Sequence, residues 1–321
     1  MNIRPNRFAA FAWAVLAFNL AVIVWGAYVR ATGSGAGCGD HWPLCNGAVV
    51  PRAPEVKTLI EFTHRATSGA ALLLVVGLAV WAFRAYPRRN PVRAGAALSL
   101  VFIVVEALIG AGLVLLQLVA DNASVARAVY LSVHLVNTFV LVGVLALTAW
   151  WASGGRAARG AGAVRWHAAG VLAATLALGV SGAVAALGAT LFPGSATEEA
   201  LRGDLSAAAR LMFSLRNYKL HPLLAVAVGA YVVTFAVALR RLWPSVWVRR
   251  WAAAAVWLVA AQTAVGLANA ALLAPVWLQL VHLLLADLLW LALVLLSATA
   301  LAESESRAEE FEAAGVSAAR V

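Results

Sequence analysis

The chain has 321 residues, 63% of them hydrophobic and 12% charged, with a mean hydropathy of +0.87. That composition excludes an ordinary soluble domain and implies an integral membrane protein. The formal charge of +10 would suit nucleic acid, but the basic residues lie between apolar runs, so the expected partner is the lipid membrane and no nucleic acid.

The first apolar run, about 9–29, follows Arg4 and Arg7. It is longer than the apolar core of a signal peptide and no cleavage site follows it, so it reads as an uncleaved first span. Seven further runs reach the roughly 20 residues a bilayer requires. They fall near 58–82, 95–117, 126–150, 167–188, 219–239, 251–272 and 277–300. The expected fold is all-α with eight transmembrane helices. An even number of spans puts both termini on one side, together with connections 83–94, 151–166 and 240–250. Those connections carry Arg84, Arg88, Arg89, Arg93, Arg156, Arg159, Arg165, Arg240, Arg241, Arg249 and Arg250. The positive-inside rule then places both termini in the cytoplasm of a cell-membrane protein. The other side holds two long loops, about 30–57 and 189–218, and two short ones. The acidic tail from Glu303 reads as a frayed, solvated end.

Long and short outer loops alternate, and local sequence repeats with them. Val24-Trp25-Gly26-Ala27 resembles Val180-Ser181-Gly182-Ala183, Glu106 to Gly110 resembles Gln262 to Gly266, and Val133-His134-Leu135 resembles Val281-His282-Leu283. A four-span repeat restores its own orientation. The expected architecture is therefore two tandem four-helix bundles related by a pseudo-two-fold axis along the membrane normal. Residues 1–155 and 156–302 form the halves and 303–321 the tail.

Taken in chain order, the first chemical feature is the loop Cys38-Gly39-Asp40-His41-Trp42-Pro43-Leu44-Cys45. An oxidising compartment favours a Cys38–Cys45 disulfide. A metal site using Asp40 and His41 is the alternative, and a disulfide would serve either redox chemistry or bracing of the loop as a lid. Next comes Glu61-Phe62-Thr63-His64-Arg65, where a carboxylate and an imidazole share one helix face. Ionisable groups inside a span cost about 2.5–3.5 kcal/mol each on insertion scales, so they ask for a reason.

His64, His134, His221 and His282 recur in the second and fourth spans of each half, within about 12 Å of the outer ends. Two imidazoles facing across a bundle can clamp one haem iron from both sides, and four at matched depth read as two axial pairs. A lone histidine would read as a residue snorkelling to water, and His41 and His167 are read that way. Arg65, Arg127, Arg216 and Lys219 are candidates for haem propionates, with lipid head groups as the alternative. Glu61 has no acidic counterpart in the second half, where Tyr218 precedes His221 by three. One haem is therefore expected to be worked on, and the other to carry electrons. Glu106 and Asp287 lie deep in spans 3 and 8 as candidates for a proton path. Gln262 in place of Glu106 leaves open that a hydrogen-bonding group suffices there.

The run Gly33-Ser34-Gly35-Ala36-Gly37-Cys38-Gly39-Asp40-His41-Trp42-Pro43-Leu44-Cys45, followed by Glu61-Phe62-Thr63-His64-Arg65, resembles the haem A synthase family. The likeness extends over essentially the whole chain, more weakly in the second half, where Pro222 follows His221 and no cysteine pair occurs in 189–218. It implies oxidation of a ring methyl of haem O to a formyl group, by successive hydroxylations with dioxygen, to give haem A. It implies that His221 and His282 hold a resident haem B, that His64 and His134 hold the substrate haem O, and that Glu61 is catalytic. A haem O synthase and an electron donor are the implied protein partners. The competing reading is a di-haem b-type cytochrome fed by quinol, which leaves Glu61 and the cysteine loop unexplained. A repeat-built transporter with histidine proton carriers is a third. It calls for Gly- or Pro-broken helices at matched positions, and none is convincing.

Overall fold

A computed structural model of the chain describes residues 6–157, 164–192, 220–243 and 245–313, with side chains through Ser304. Eight α-helices follow one another: α1 (Arg7–Ala31), α2 (Val56–Ala85), α3 (Pro91–Leu115), α4 (Val125–Ala152), α5 (Val164–Leu191), α6 (Leu220–Leu242), α7 (Val246–Ala271) and α8 (Val276–Ala313). Among the described residues, all eight are long and apolar enough to cross a membrane. The reason is that a backbone in lipid must satisfy its own hydrogen bonds, which a helix does within one segment.

Side-chain caps fix where several helices start. Asn6 accepts the Ala9 N–H at 2.7 Å, and Asn90 accepts the Val92 N–H at 2.9 Å with Pro91 in the first helical position. Ser124 and Ser245 accept the N–H groups of Arg127 and Val248 at 3.2 and 3.3 Å. Each satisfies one of the donors that a helix start leaves orphaned. α8 runs on to Ala313, beyond the point where hydropathy alone suggests a frayed end at Glu303. The Ala- and Glu-rich sequence there has high helix propensity, so the helix outlasts its apolar stretch.

α1 packs on α2 and α4, α2 on α3, and α3 on α4. In the second half of the chain α5 packs on α6 and α8, α6 on α7, and α7 on α8. α4 also meets α5 and α8, and α1 meets α8. Small residues let these backbones approach: a Cβ at Gly95 of α3 would collide with Thr148 Oγ1 of α4. The largest core cluster draws Phe8, Ala12, Leu16, Val75, Leu78, Phe139, Val142 and Leu145 from the first four helices, and Trp290, Leu291, Val294 and Leu295 from α8. Trp290 Nε1 donates to Phe139 O at 2.6 Å and its ring stacks on Phe139 at 5.4 Å. A second cluster joins α5 to α8 through Val171, Val232, Phe235, Leu293 and Leu296.

Candidate functional site

Loop 32–55 folds down onto the start of α2. Gly37 lies so close to the first turn that a Cβ there would be 2.5 Å from Lys57 O. That approach lets Thr58 Oγ1 donate to Gly37 O at 2.8 Å and Asn46 Nδ2 donate to the same oxygen at 3.2 Å. Cys38 and Cys45 form a disulfide with an S–S distance of 2.04 Å, and Cys45 N donates to Ala48 O at 2.9 Å.

Glu61 is 3% exposed and points into the base of this loop. Its Oε2 accepts the Cys38 N–H at 2.8 Å. Its Oε1 accepts from Arg65 Nη2 at 2.5 Å and Nε at 3.1 Å. Arg65 Nη1 donates in turn to the carbonyls of His41 and Leu44 at 2.5 and 2.7 Å. A guanidinium on one oxygen and a backbone N–H on the other fix the orientation of the Glu61 carboxyl group. The Arg65 guanidinium is thus directed at Glu61 and the loop. His41 is exposed, with Nδ1 3.3 Å from Asp40 Oδ1, and His167 is exposed as well.

His64 follows Glu61 by three residues on α2, half-buried, with its imidazole against Gly26 of α1. A Cβ at Gly26 would stand 2.9 Å from His64 Cε1. His64 Nδ1 is buried without a hydrogen-bond partner. His134 on α4 is near enough to interact with it electrostatically, and His134 Nδ1 is also buried and unbonded, 3.5 Å from Glu106 Oε1. Glu106 is held from α4: Asn137 Nδ2 donates to Oε2 at 2.5 Å, and Thr138 Oγ1 donates to Oε1.

In the second half of the chain the imidazoles of His221 (α6) and His282 (α8) come together, with ring centroids 6.4 Å apart and planes at 84°. Metal–imidazole bonds run at about 2 Å, so two imidazoles on opposite sides of one ion have ring centres roughly 6 Å apart. Ser181 Oγ hydrogen-bonds His221 Nδ1 at 2.9 Å, which leaves Nε2 for a ligand. His282 Nδ1 is buried without a partner, and its Nε2 lies 3.4 Å from Gln262 Nε2. Gly182 and Gly266 make room for these rings, since a Cβ at either would meet Cε1 of His221 or His282 at 3.0 Å.

The four histidines therefore fit a haem better than a bare ion. Three of them carry a buried nitrogen with nothing to bond, and three rest against glycines of a neighbouring helix. Among the described residues no group of three or more His, Cys, Asp or Glu side chains could hold a metal ion. A pair of imidazoles suits a group that brings its own equatorial nitrogens. Arg127 is 3% exposed and donates from Nη1 to Ala120 O and Asn122 O at 2.5 and 2.9 Å, while its Nε has no partner. Arg216, Lys219 and Tyr218 lie outside the described residues. Asp287 is fully buried and neither carboxylate oxygen has a hydrogen-bond partner.

One residue escaped sequence reasoning. Arg30, in the last turn of α1, donates from Nη1 to Ala186 O at 3.0 Å and Thr190 Oγ1 at 2.8 Å on α5, and from Nη2 to Gln279 Oε1 at 3.1 Å on α8. A cation at the end of an apolar run was the available signal, and it is also what an ordinary lipid-facing arginine looks like.

The family model COX15-CtaA, described as cytochrome oxidase assembly protein, matches residues 9–294. Two proteins from strains of Thermus thermophilus, each named protoheme IX farnesyltransferase, are 54% identical over 306 residues, which is 95% of this chain and 50% of theirs. A heme A synthase of an Exiguobacterium species is 40% identical over 112 residues, 35% of this chain and 37% of its own. One from Bacillus mycoides is 46% identical over 95 residues, 30% of each chain. The chain thus spans about half the length of the Thermus relatives, and its matches to these heme A synthases cover less.

Proposed function

Because the chain belongs to the COX15-CtaA family of cytochrome oxidase assembly proteins, the haem A synthase family that its loop motif resembles, we propose that it converts haem O to haem A. In this reading the two halves are tandem four-helix bundles in a cell membrane, with both termini cytoplasmic and the haem sites toward the outer side. His221 and His282 hold a resident haem B, and His64 and His134 bind the substrate haem O. When bound, haem supplies the iron redox chemistry that an inert methyl C–H bond requires. Each hydroxylation puts one oxygen atom of dioxygen into the methyl carbon. The other leaves as water, with two electrons and two protons from a donor, and the doubly hydroxylated carbon loses water to become formyl.

The protein's part is binding, orientation and protons. Gly26 and Gly182 set the imidazoles of His64 and His221, and Ser181, whose hydroxyl proton goes to Leu178 O at 2.7 Å, is left to accept from Nδ1 of His221. Of the two described propionate candidates, Arg127 is the better placed, because its buried Nε has no protein partner whereas Arg65 is directed at Glu61 and the loop. Glu61 carries the reading. Two axial histidine pairs alone suit an electron-carrying cytochrome equally well. A buried carboxylate one turn from His64, fixed by Arg65 and the cysteine loop, is what a catalytic first half requires and a carrier does not. Its Oε2, bonded only to the Cys38 N–H, is the atom left to accept or return a proton.

The test is haem extraction from cells that supply haem O. Wild type forms haem A. Glu61→Gln keeps its haem and loses roughly 10²–10⁴-fold in conversion, whereas His64→Ala and His134→Ala lose substrate binding. Haem A formation at the wild-type rate in Glu61→Gln removes Glu61 from the chemistry, and a protein that carries only haem B and never forms haem A is the cytochrome. The name of the Thermus relatives supports a second reading, farnesyl transfer to protohaem IX. It describes proteins of which this chain matches half, and formation of haem O from haem B by this chain would establish it. In the synthase reading, a haem O synthase is the natural neighbour, because it delivers a substrate too apolar to cross water.

A further inference from the structure

Among the described residues, Glu106 is the only carboxylate within 4 Å of the imidazole of one of the four candidate ligands. It is also held in place more tightly than a path for protons would need. Asn137 and Thr138, three and four residues after His134, donate to its two oxygens, which leaves Oε1 3.5 Å from the buried, unbonded Nδ1 of His134. In the second half the same offsets from His282 give Leu285 and Ala286, whose side chains have no hydrogen bond to donate. Gln262 stands in place of the carboxylate, and it faces Nε2 of His282 instead. Carboxylate, amide donor and hydroxyl donor are thus present together in one half and absent together in the other. An acid that merely filled space would not need both donors.

We propose that Glu106 is a positioning residue for His134: it accepts the Nδ1–H of that imidazole, makes it a stronger electron donor, and so holds the first-half haem at a lower reduction potential than a neutral partner would. The proposal rests on the reading of His134 as an axial ligand. Ligation through Nε2 forces the proton onto Nδ1, and Oε1 is the acceptor that waits there. Outer-sphere carboxylates of this kind fix ring orientation and raise ligand basicity, and an electron-rich imidazole favours the oxidised iron. Asn137 and Thr138 serve by keeping the carboxylate aimed, since both hydrogen bonds are charge-assisted.

The experiment is potentiometric titration of the purified, haem-loaded protein, with electron paramagnetic resonance on the same samples. His134→Ala identifies which haem belongs to His134. Glu106→Gln keeps the shape and removes the charge. It should shift the reduction equilibrium of that haem about tenfold toward the ferrous state, ~59 mV for a one-electron couple, move its low-spin resonance, and leave the second-half haem unchanged. The double variant Asn137→Leu, Thr138→Ala keeps Glu106 but frees it, and should shift the same haem in the same direction by less. If Glu106→Gln fails to load haem, the double variant decides. An unchanged potential and resonance at full haem occupancy overturns the proposal. Survival of both haems and both spectra in His134→Ala overturns instead the ligand assignment beneath it.

Discussion

Gly182 and Gly26 occupy positions where even one methyl group would touch an imidazole. A Cβ at Gly26 would sit 2.9 Å from His64 Cε1, and one at Gly182 would sit 3.0 Å from His221 Cε1. Overpacking of this kind costs about 1–3 kcal/mol or displaces the ring. Under the proposed haem assignment, Gly182→Ala should therefore lower the second-half haem content of the purified protein without affecting its expression, and Gly26→Ala should do the same for the first-half haem. Pyridine haemochrome stoichiometry would measure both, and unchanged stoichiometry would mean the rings have slack the structure does not show. Arg65 offers a second residue-scale test. Removing it leaves Glu61 buried beside a backbone N–H with its counter-ion gone, a change that costs about 3–5 kcal/mol for buried pairs. It also frees the carbonyls of His41 and Leu44. Arg65→Ala should make loop 32–55 readily cleaved by protease in detergent, whereas Arg65→Lys should give partial protection because a point charge cannot reproduce the fork.

At the scale of elements, the loop and α2 form one unit. The disulfide, the Gly37 contact with the first turn of α2, and the Cys38 N–H on Glu61 all act within a few residues of each other. Alkylation without reductant should leave both cysteines unmodified, and two freely alkylated thiols would contradict the bond. Arg30 ties α1 to α5 and α8 in the same way, through two side-chain acceptors and one carbonyl. Hydrogen bonds from a charged donor contribute about 1.5–3 kcal/mol each, so Arg30→Leu should lower the thermal midpoint by several degrees. Glu61, His64 and the loop should keep their geometry in that variant, and haem ligation should persist below the midpoint.

Across the whole molecule, the first four helices and α8 share a core. Trp290 inserts between them, bonded and stacked to Phe139, with Gly143 leaving the room it needs. Trp150 meets Trp247 and Trp251 edge to face at 5.1 and 6.2 Å and links α4 to α7. Lipid tails are as apolar as leucine, so such packing and buried hydrogen bonds, not the hydrophobic effect, hold helices together in a bilayer. Thermal unfolding in detergent should accordingly show one cooperative transition for both halves. Trp290→Ala should cost about 3–5 kcal/mol and split or broaden it. Two well-separated transitions in the wild type would mean the shared core is not holding the halves together.

The eight helices were legible in sequence because a span leaves a long apolar run that nothing else requires; their starts, a few residues before the apolar runs, are set by caps such as Asn6, Asn90 and Ser245, which hydropathy does not report. The end of α8 was not, because hydropathy reports where lipid stops and helix propensity reports where the helix stops. The histidines and the cysteine loop were legible because ionisable groups are rare in such runs. Their partners were not. Glu61 shares a face with His64, and that much the helical period gave; its bonds to Cys38 N and Arg65 exist because loop 32–55 descends on that side of α2. Glu106 looked interchangeable with Gln262, and only the approach of α4 shows two donors aiming one of them at His134. Arg30 looked like any interfacial cation until α5 and α8 supplied its acceptors. A period of 3.6 residues says which side chains share a helix face, but which helix stands opposite that face is decided by packing between segments far apart in the chain.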